Sequence, residues 1–420
     1  MKILFNDPEM DGQLGRTLIA ANSMSADLGE SLATASRITP GDYDSWFDEW
    51  SATARRVQER AAVAAAAGRR VTARQGYLRA TEYWRQAIFF LRHDLDDRRL
   101  MDGWRAHRAA FRAAIPLFDD EVVMGEISFD GGRMSAYLFR SSTIPSRAGR
   151  PTVLAPCGYD STAEAGYSAT AYMALRHGWD CLVWDGPGQG GMLYEQRIAM
   201  RPDFESVVPP VVDWLLGQPD VDPARIAMIG RSFAGYLAPR GVSGEPRVAA
   251  LVCDPGQFDF VSRLVPRQFD APYWDRILAC DPTVDRELDS LLDDPHGREF
   301  YGARMATMGA ATVGEFLRMQ PTYTLEGHAS AITCPVLVTE GEGDFAGQSQ
   351  VLFGALTAEK EFRAFTEAEG GGGHCEGLGA TLFEETVFDW LDGVLPSAPA
   401  REARLSAGRI PPVEHLRKEQ

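Results

Sequence analysis

The stretch "RIAMIGRSFAGYLAPR", residues 225–240, decides the reading of the whole chain. Ile226, Ala227, Met228 and Ile229 form a short apolar run of the kind buried in a parallel sheet, and Tyr236 to Pro239 continue as a helix. Only Gly230-Arg231-Ser232-Phe233-Ala234-Gly235 joins them, so Ser232 stands on a tight strand-to-helix corner. Small neighbours let such a corner strain its backbone and hold the serine hydroxyl out into the open. The spacing is G-x-S-x-A-G, with Ala234 where a second glycine is expected, and alanine still permits close approach of helix and strand. Ser232 is therefore the candidate nucleophile.

A serine hydroxyl attacks poorly near neutral pH unless a base takes its proton and a carboxylate orients that base. On a strand-turn-helix corner of this kind the partners follow in the order acid, then histidine. His374 lies in "EAEGGGGHCEG", a glycine loop directly after a strand, whereas His415 falls in the C-terminal tail. "PVLVTEGEGDF" offers Glu340, Glu342 and Asp344 at the end of one strand. Asp344, closing the Gly-Glu-Gly-Asp turn, is the candidate acid, and the glutamates read as solvated loop charges. The oxyanion of an acyl-transfer intermediate needs two backbone N–H donors. Phe233, just after the nucleophile, supplies one, and Tyr159, in the loop after "PTVLAP", is the best second donor.

Composition bounds the rest. The chain has 420 residues, 45% hydrophobic side chains and a formal charge of −17. That length accommodates two domains or one enlarged domain. The negative balance disfavours nucleic acid and anionic membrane surfaces and leaves a small organic molecule as the expected partner. No run approaches the ~20 apolar residues of a membrane span, and "MKILFNDPEMDG" turns acidic too early for a signal peptide, so a cytoplasmic location is expected. Cys157, Cys181, Cys253, Cys280, Cys334 and Cys375 form no C-x-x-C pair and read as reduced core residues.

Residues 1–118 read as helical, with aromatic stripes at Trp46, Phe47 and Trp50 and at Tyr77, Tyr83, Trp84, Phe89 and Phe90, and a break at Gly68. Residues 119–395 alternate strands and helices, beginning with a hairpin around Asp130-Gly131-Gly132, which predicts a mostly parallel α/β sheet covered on both faces. A helical, acidic insertion over 260–330 interrupts the alternation and reads as a lid, and residues 396–420 read as a surface tail. Gly186, Gly188 and Gly191 in "DGPGQGG" match the G-x-G-x-x-G dinucleotide spacing. Pro187 inside the turn and the absence of a clear βαβ unit argue against that use.

Taken together, "GRRVTARQGYLRATEYWRQAIFFL", "PCGYDSTAEAGY", "WDGPGQGG", "GRSFAGY", "YTLEGHASAITCPVLVTEGEGD" and "GGGGHCEG" resemble one branch of the α/β-hydrolase superfamily. That branch contains 2,6-dihydroxypseudooxynicotine hydrolase, fungal polyketide chain-shortening hydrolases and relatives of the FrsA-like esterases. The resemblance spans roughly residues 40–395. It implies an α/β-hydrolase fold with an N-terminal helical cap, a homodimer, and cleavage of an ester or of a C–C bond next to a ketone, with no metal and no cofactor. A Ser232-His374-Asp344 triad serves either bond. Elimination of a small acid, or a non-catalytic binding role on the same fold, are the alternatives. The pocket is expected to be apolar and aromatic with few charges, for a neutral aromatic or polyketide-type metabolite. A charged substrate would instead need an arginine or lysine facing Ser232, and Arg231 should point away. Tyr83 on the cap and Asp254 and Gln257 after "VAALVCDPG" are candidate substrate contacts.

Overall fold

The computed structural model describes residues 2–143, 149–261, 268–344 and 347–396. The tail assigned to residues 396–420 lies almost entirely outside them, as does part of the 260–330 insertion. Eight strands form one sheet: β1 (Glu121–Phe129), β2 (Gly132–Arg140), β3 (Arg150–Pro156), β4 (Asp180–Trp184), β5 (Val221–Arg231), β6 (Ala250–Asp254), β7 (Val336–Gly341) and β8 (Lys360–Phe365). Their order is β1-β2-β4-β3-β5-β6-β7-β8. The β1–β2 hairpin and the β2–β4 pair are antiparallel and the remaining pairs parallel. Asp130 and Gly131, both at positive φ, make the two-residue hairpin turn that suits the right-handed twist of its strands. The central strands β3, β4 and β6 are buried along their whole length, as parallel strands with helices on both faces must be. This is the α/β-hydrolase architecture.

Five helices precede the sheet: α1 (Pro8–Ile19), α2 (Leu28–Ala35), α3 (Tyr43–Ala66), α4 (Arg70–Ala87) and α5 (Arg98–Ala114). Gly68, at φ +69, allows the turn between α3 and α4. The two helices then cross so closely that a Cβ on Gly76 would meet the Ala61 Cβ at 2.7 Å. Trp46, Trp50, Tyr83 and Phe90 fill their common core. Polar contacts tie this layer to the loops at the C-terminal edge of the sheet. Arg16 pairs with Asp160 at 2.7 Å, His107 Nε2 meets Thr162 Oγ1 at 2.9 Å, and Arg92 reaches Glu299 of the insertion at 3.3 Å. The insertion between β6 and β7 is helical, including Ala271–Leu278, Pro282–Asp289, Ala303–Met308 and Val313–Met319. Five of the six cysteines are buried and all are free; Cys280, expected in the core, is instead exposed.

Candidate active site

The corner that ends β5 is as tight as its sequence implies. Ser232 sits at φ +60, outside the range most L-residues adopt, between β5 and the helix Ala234–Val242. Its N–H donates to the Asp254 carbonyl at 2.7 Å, and its carbonyl accepts from Gly235 N–H at 2.8 Å. Side chains are barred at two positions. A Cβ on Gly230 would lie 2.1 Å from the Ala234 carbonyl oxygen, and one on Gly235 would lie 2.0 Å from that of Pro255. Ala234 itself is buried within the helix, so the departure from glycine falls where a methyl group fits.

His374 reaches Ser232 from the loop after β8. Its Nε2 lies 2.7 Å from Ser232 Oγ, and its Nδ1 lies 2.9 and 3.0 Å from the two Asp344 oxygens. A carboxylate only accepts, so the proton resides on Nδ1, and Nε2 is left as the acceptor for the serine hydroxyl. The Cys375 N–H donates to Asp344 Oδ2 at 2.9 Å and fixes the carboxylate from the side. Asp344 is largely covered, whereas about half of the imidazole is open to an incoming molecule.

The loop after β3 passes over Ser232: a Cβ on Gly158 would lie 3.4 Å from Ser232 Cβ and 3.8 Å from its Oγ. That loop is clasped by a residue the sequence reading passed over. Gln189, inside the glycine stretch, donates through Nε2 to the Cys157 carbonyl at 2.6 Å and to the Gly158 carbonyl at 2.9 Å, while its Oε1 accepts from Gly186 N–H. Asp185 holds the same stretch by accepting from Gly191 N–H and Ala163 N–H. The glycines thus let one loop pack against another, and the backbone donors around Asp185 are spent inside the protein. The signal available in sequence was a glutamine among glycines, which does not say what it touches.

Arg231 directs its guanidinium away from the serine, as expected. Its Nε donates to Asp254 Oδ2 at 2.7 Å, its Nη1 to the Ala169 carbonyl at 2.9 Å and its Nη2 to the Cys375 carbonyl. Thr339 Oγ1 donates to Asp254 Oδ1 at 2.9 Å. The expectation that Asp254 and Gln257 contact substrate is therefore corrected. The Asp254 side chain is sealed beneath the corner as the partner of Arg231, and Gln257, also buried, donates to the Ser232 carbonyl at 2.5 Å. Tyr83 is corrected too. It is buried against Trp50, 5.5 Å between ring centroids, and its hydroxyl donates to Glu30 while accepting from Asp27 N–H. It is a core residue of the helical layer.

Cys375 and Glu376 both adopt positive φ, +53 and +50, a costly conformation for two consecutive non-glycine residues. Glu376 is fully buried beside Gly341, Asp254 and Arg231. Burial first, and then the Asp254 carboxylate, push its own carboxyl far above the usual range, with Arg231 opposing and Asp344 adding to the rise. The folded protein keeps a proton on Glu376 that the unfolded chain loses above pH ~4.3. Stability therefore falls as pH rises above that point. Glu376→Gln carries no such proton, so its stability relative to the wild type should climb between pH 6 and pH 9, by up to order 1 kcal/mol per pH unit. Urea midpoints at both pH values measure this, and a constant gap would mean that Glu376 is ionised in the folded state.

Asp344, His374 and Cys375 also bring possible metal-ligand atoms within 4.8 Å of one another. Both imidazole nitrogens already have partners, and burial pushes the Cys375 thiol well above its usual range, which disfavours the thiolate a zinc ion requires. Around the nucleophile, Phe233, Tyr236, Phe260 and Tyr323 form an interlocked aromatic group with centroids 4.9 to 6.0 Å apart. Charged groups stand near Tyr159. Arg304 of the insertion lies 5.5 Å from the Tyr159 ring centroid, and Arg16, Asp160, Arg92 and Glu299 continue from there.

The family model described as X-Pro dipeptidyl-peptidase (S15 family) matches residues 130–375. The chain belongs to this α/β-hydrolase family. The hydrolase is 31% identical over 397 residues to "Hydrolase LUC6" of Fusarium sp, covering 90% of this chain and 94% of the relative. It is likewise 31% identical to "20-hydroxy-prefusarin hydrolase FUS2" of Gibberella moniliformis, over 87% of this chain and 92% of that one. Among solved structures, 2,6-dihydroxy-pseudo-oxynicotine hydrolase superimposes with a TM-score of 0.71 at 22% identity, covering 91% of this hydrolase and 95% of that chain. No helix among the described residues of the hydrolase is long and apolar enough to cross a membrane.

Proposed function

We propose that this enzyme is a serine hydrolase that cleaves an ester, or a C–C bond next to a ketone, in an aromatic or polyketide-type metabolite. The observation that carries the reading is the 2.7 Å contact between Ser232 Oγ and His374 Nε2 on a strained corner lying beneath the β3 loop. Ser232 Oγ adds to the substrate carbonyl while its proton passes to His374 Nε2, and Asp344 balances the imidazolium that forms. The Phe233 and Tyr159 N–H groups take the oxyanion. When the intermediate collapses, the bond to the leaving group breaks and His374 returns the proton, to an alkoxide for an ester or to carbon for a ketone. Water, deprotonated by His374, then releases the acid and restores Ser232. The names of the 20-hydroxy-prefusarin hydrolase and of the structural neighbour support a small metabolite as substrate.

In this reading residues 1–118 are a cap, residues 119–395 the catalytic domain, and the 260–330 insertion completes the cover that keeps bulk water from the acyl-enzyme. A cytoplasmic homodimer completes the reading, and light scattering in solution tests the dimer. Incubation with matched β-diketone and ester analogues, followed by mass spectrometry, tests the reaction and should yield the acid from at least one. Deleting residues 1–118 should abolish that turnover, and an active, soluble truncated protein would refute the cap. Release of a small acid with a new alkene, and no acyl-enzyme, would replace hydrolysis by elimination.

A further inference from the structure

The charged groups around Tyr159 are unevenly matched. Asp160 is matched by Arg16 at 2.7 Å, and Glu299 by Arg92 at 3.3 Å. Arg304, by contrast, has no carboxylate within 4 Å among the described residues. Its Nη1 donates to the Phe300 carbonyl at 2.7 Å, and its guanidinium lies 3.5 Å from the Phe300 ring centroid. Stacking of this kind holds the planar fork in place without using up its donors. Tyr159 lies between that fork and the nucleophile. Its ring meets the Phe233 ring edge-on at 6.0 Å, and Gly158 just before it covers Ser232. The Tyr159 hydroxyl is buried, makes no well-formed hydrogen bond, and has Thr307 as its polar neighbour. Its electrostatic neighbours are Arg304, Arg92 and Glu299. Glu299 faces Arg92 and, at longer range, Arg304, and burial raises its carboxyl against both, which weakens it as a counter-ion.

We infer that the substrate of this hydrolase carries a carboxylate that docks between the Arg304 guanidinium and the Tyr159 hydroxyl, about one tyrosine side chain away from the carbonyl attacked by Ser232. The proposal rests on the reading of Ser232 given above and adds the class of substrate. A carboxylate matches a guanidinium fork in shape and charge, and it also accepts from a neutral hydroxyl. An acidic substrate takes the place of the neutral one that the family resemblance implied.

The test uses two esters that differ in one charge, the 2-naphthyl monoester of adipic acid and its methyl 2-naphthyl diester counterpart. Wild-type enzyme should favour the acid by about tenfold or more in kcat/KM, the range of a charge-assisted hydrogen bond. In Arg304→Gln that ratio should fall towards one, with the loss appearing in KM for the acid. Arg304→Lys should restore only part of it, because an ammonium cannot present the fork. Calorimetric binding of the same two esters to Ser232→Ala gives a readout that needs no turnover, and there too the acid should bind about tenfold tighter. Equal binding of the two esters, or a preference that survives in Arg304→Gln, overturns the subsite. Tighter binding of the acid by Ser232→Ala, in a protein whose wild type hydrolyses neither ester, upholds the subsite and removes the reading of Ser232.

Discussion

Ser232→Ala should lower kcat by at least ~10³-fold while the protein unfolds at the same urea concentration as the wild type. With Ser232 as the proposed nucleophile, its removal leaves only the oxyanion donors and binding, which retain a small part of the acceleration over water. The fold should not respond. The corner is held by Ser232 N–H on the Asp254 carbonyl and by Gly235 N–H on the Ser232 carbonyl, and both are backbone bonds. His374 keeps Asp344 as its partner without the hydroxyl. Labelling by a fluorophosphonate should disappear along with turnover. An alanine variant that still turns over substrate at more than a tenth of the wild-type rate would show that the chemistry lies elsewhere.

Arg231→Met should cost roughly 3–5 kcal/mol, the price of stranding a buried charge. The methionine removes the cation that faces Asp254, whose side chain has no accessible surface and is left with the Thr339 hydroxyl and the carboxyl of Glu376 as neighbours. It also removes the donors to the Ala169 and Cys375 carbonyls, and the Cys375 bond is what ties the His374 loop to the end of β5. The urea midpoint should drop sharply and turnover should fall with it. Asp254→Asn in the same background should recover part of the stability, because no charge is then left unpaired. A single Arg231→Met variant as stable as the wild type would mean that Asp254 is buried as the neutral acid.

The sheet and the tight corner that carries Ser232 were legible because their signals are local. A continuous apolar run such as Ile226 to Ile229 specifies a strand buried on both faces. The need for Gly230 is written into the few residues on either side of Ser232, because its missing Cβ leaves room for the Ala234 carbonyl. His374 and Asp344 were legible for a related reason: each ends a strand-and-loop unit on the same edge of a parallel sheet, and chain order alone then limits the choices. Their meeting at hydrogen-bonding distance was not in the sequence. It follows from β6 and β7 standing beside β5, with β8 next in line.

Tyr83 shows where a local pattern stops. Helical spacing identifies an apolar stripe but not its partner, and the partner of Tyr83 proved to be the α2–α3 side of its own layer, through Glu30, Asp27 and Trp50. Asp254 and Gln257 were correctly placed at a strand end near the nucleophile, yet the sequence could not say which way they face. Both turn inward to hold the corner.

The sequence by itself determined the α/β class, the helical segment before the sheet, the strand-to-helix corner and the candidates Ser232, Asp344 and His374. Each of these depends on propensity, periodicity and short-range sterics within some ten residues of chain. Only the tertiary structure decided that Gln189 clasps the loop over Ser232, that Arg231, Asp254 and Glu376 lock the histidine loop beneath it, and that Arg304 stands beside Tyr159. Those contacts join residues that are mostly tens to more than a hundred positions apart. Hydrogen bonds and ion pairs are short-ranged, and no local preference of a chain says which distant groups the packing of its layers will bring within about 3 Å.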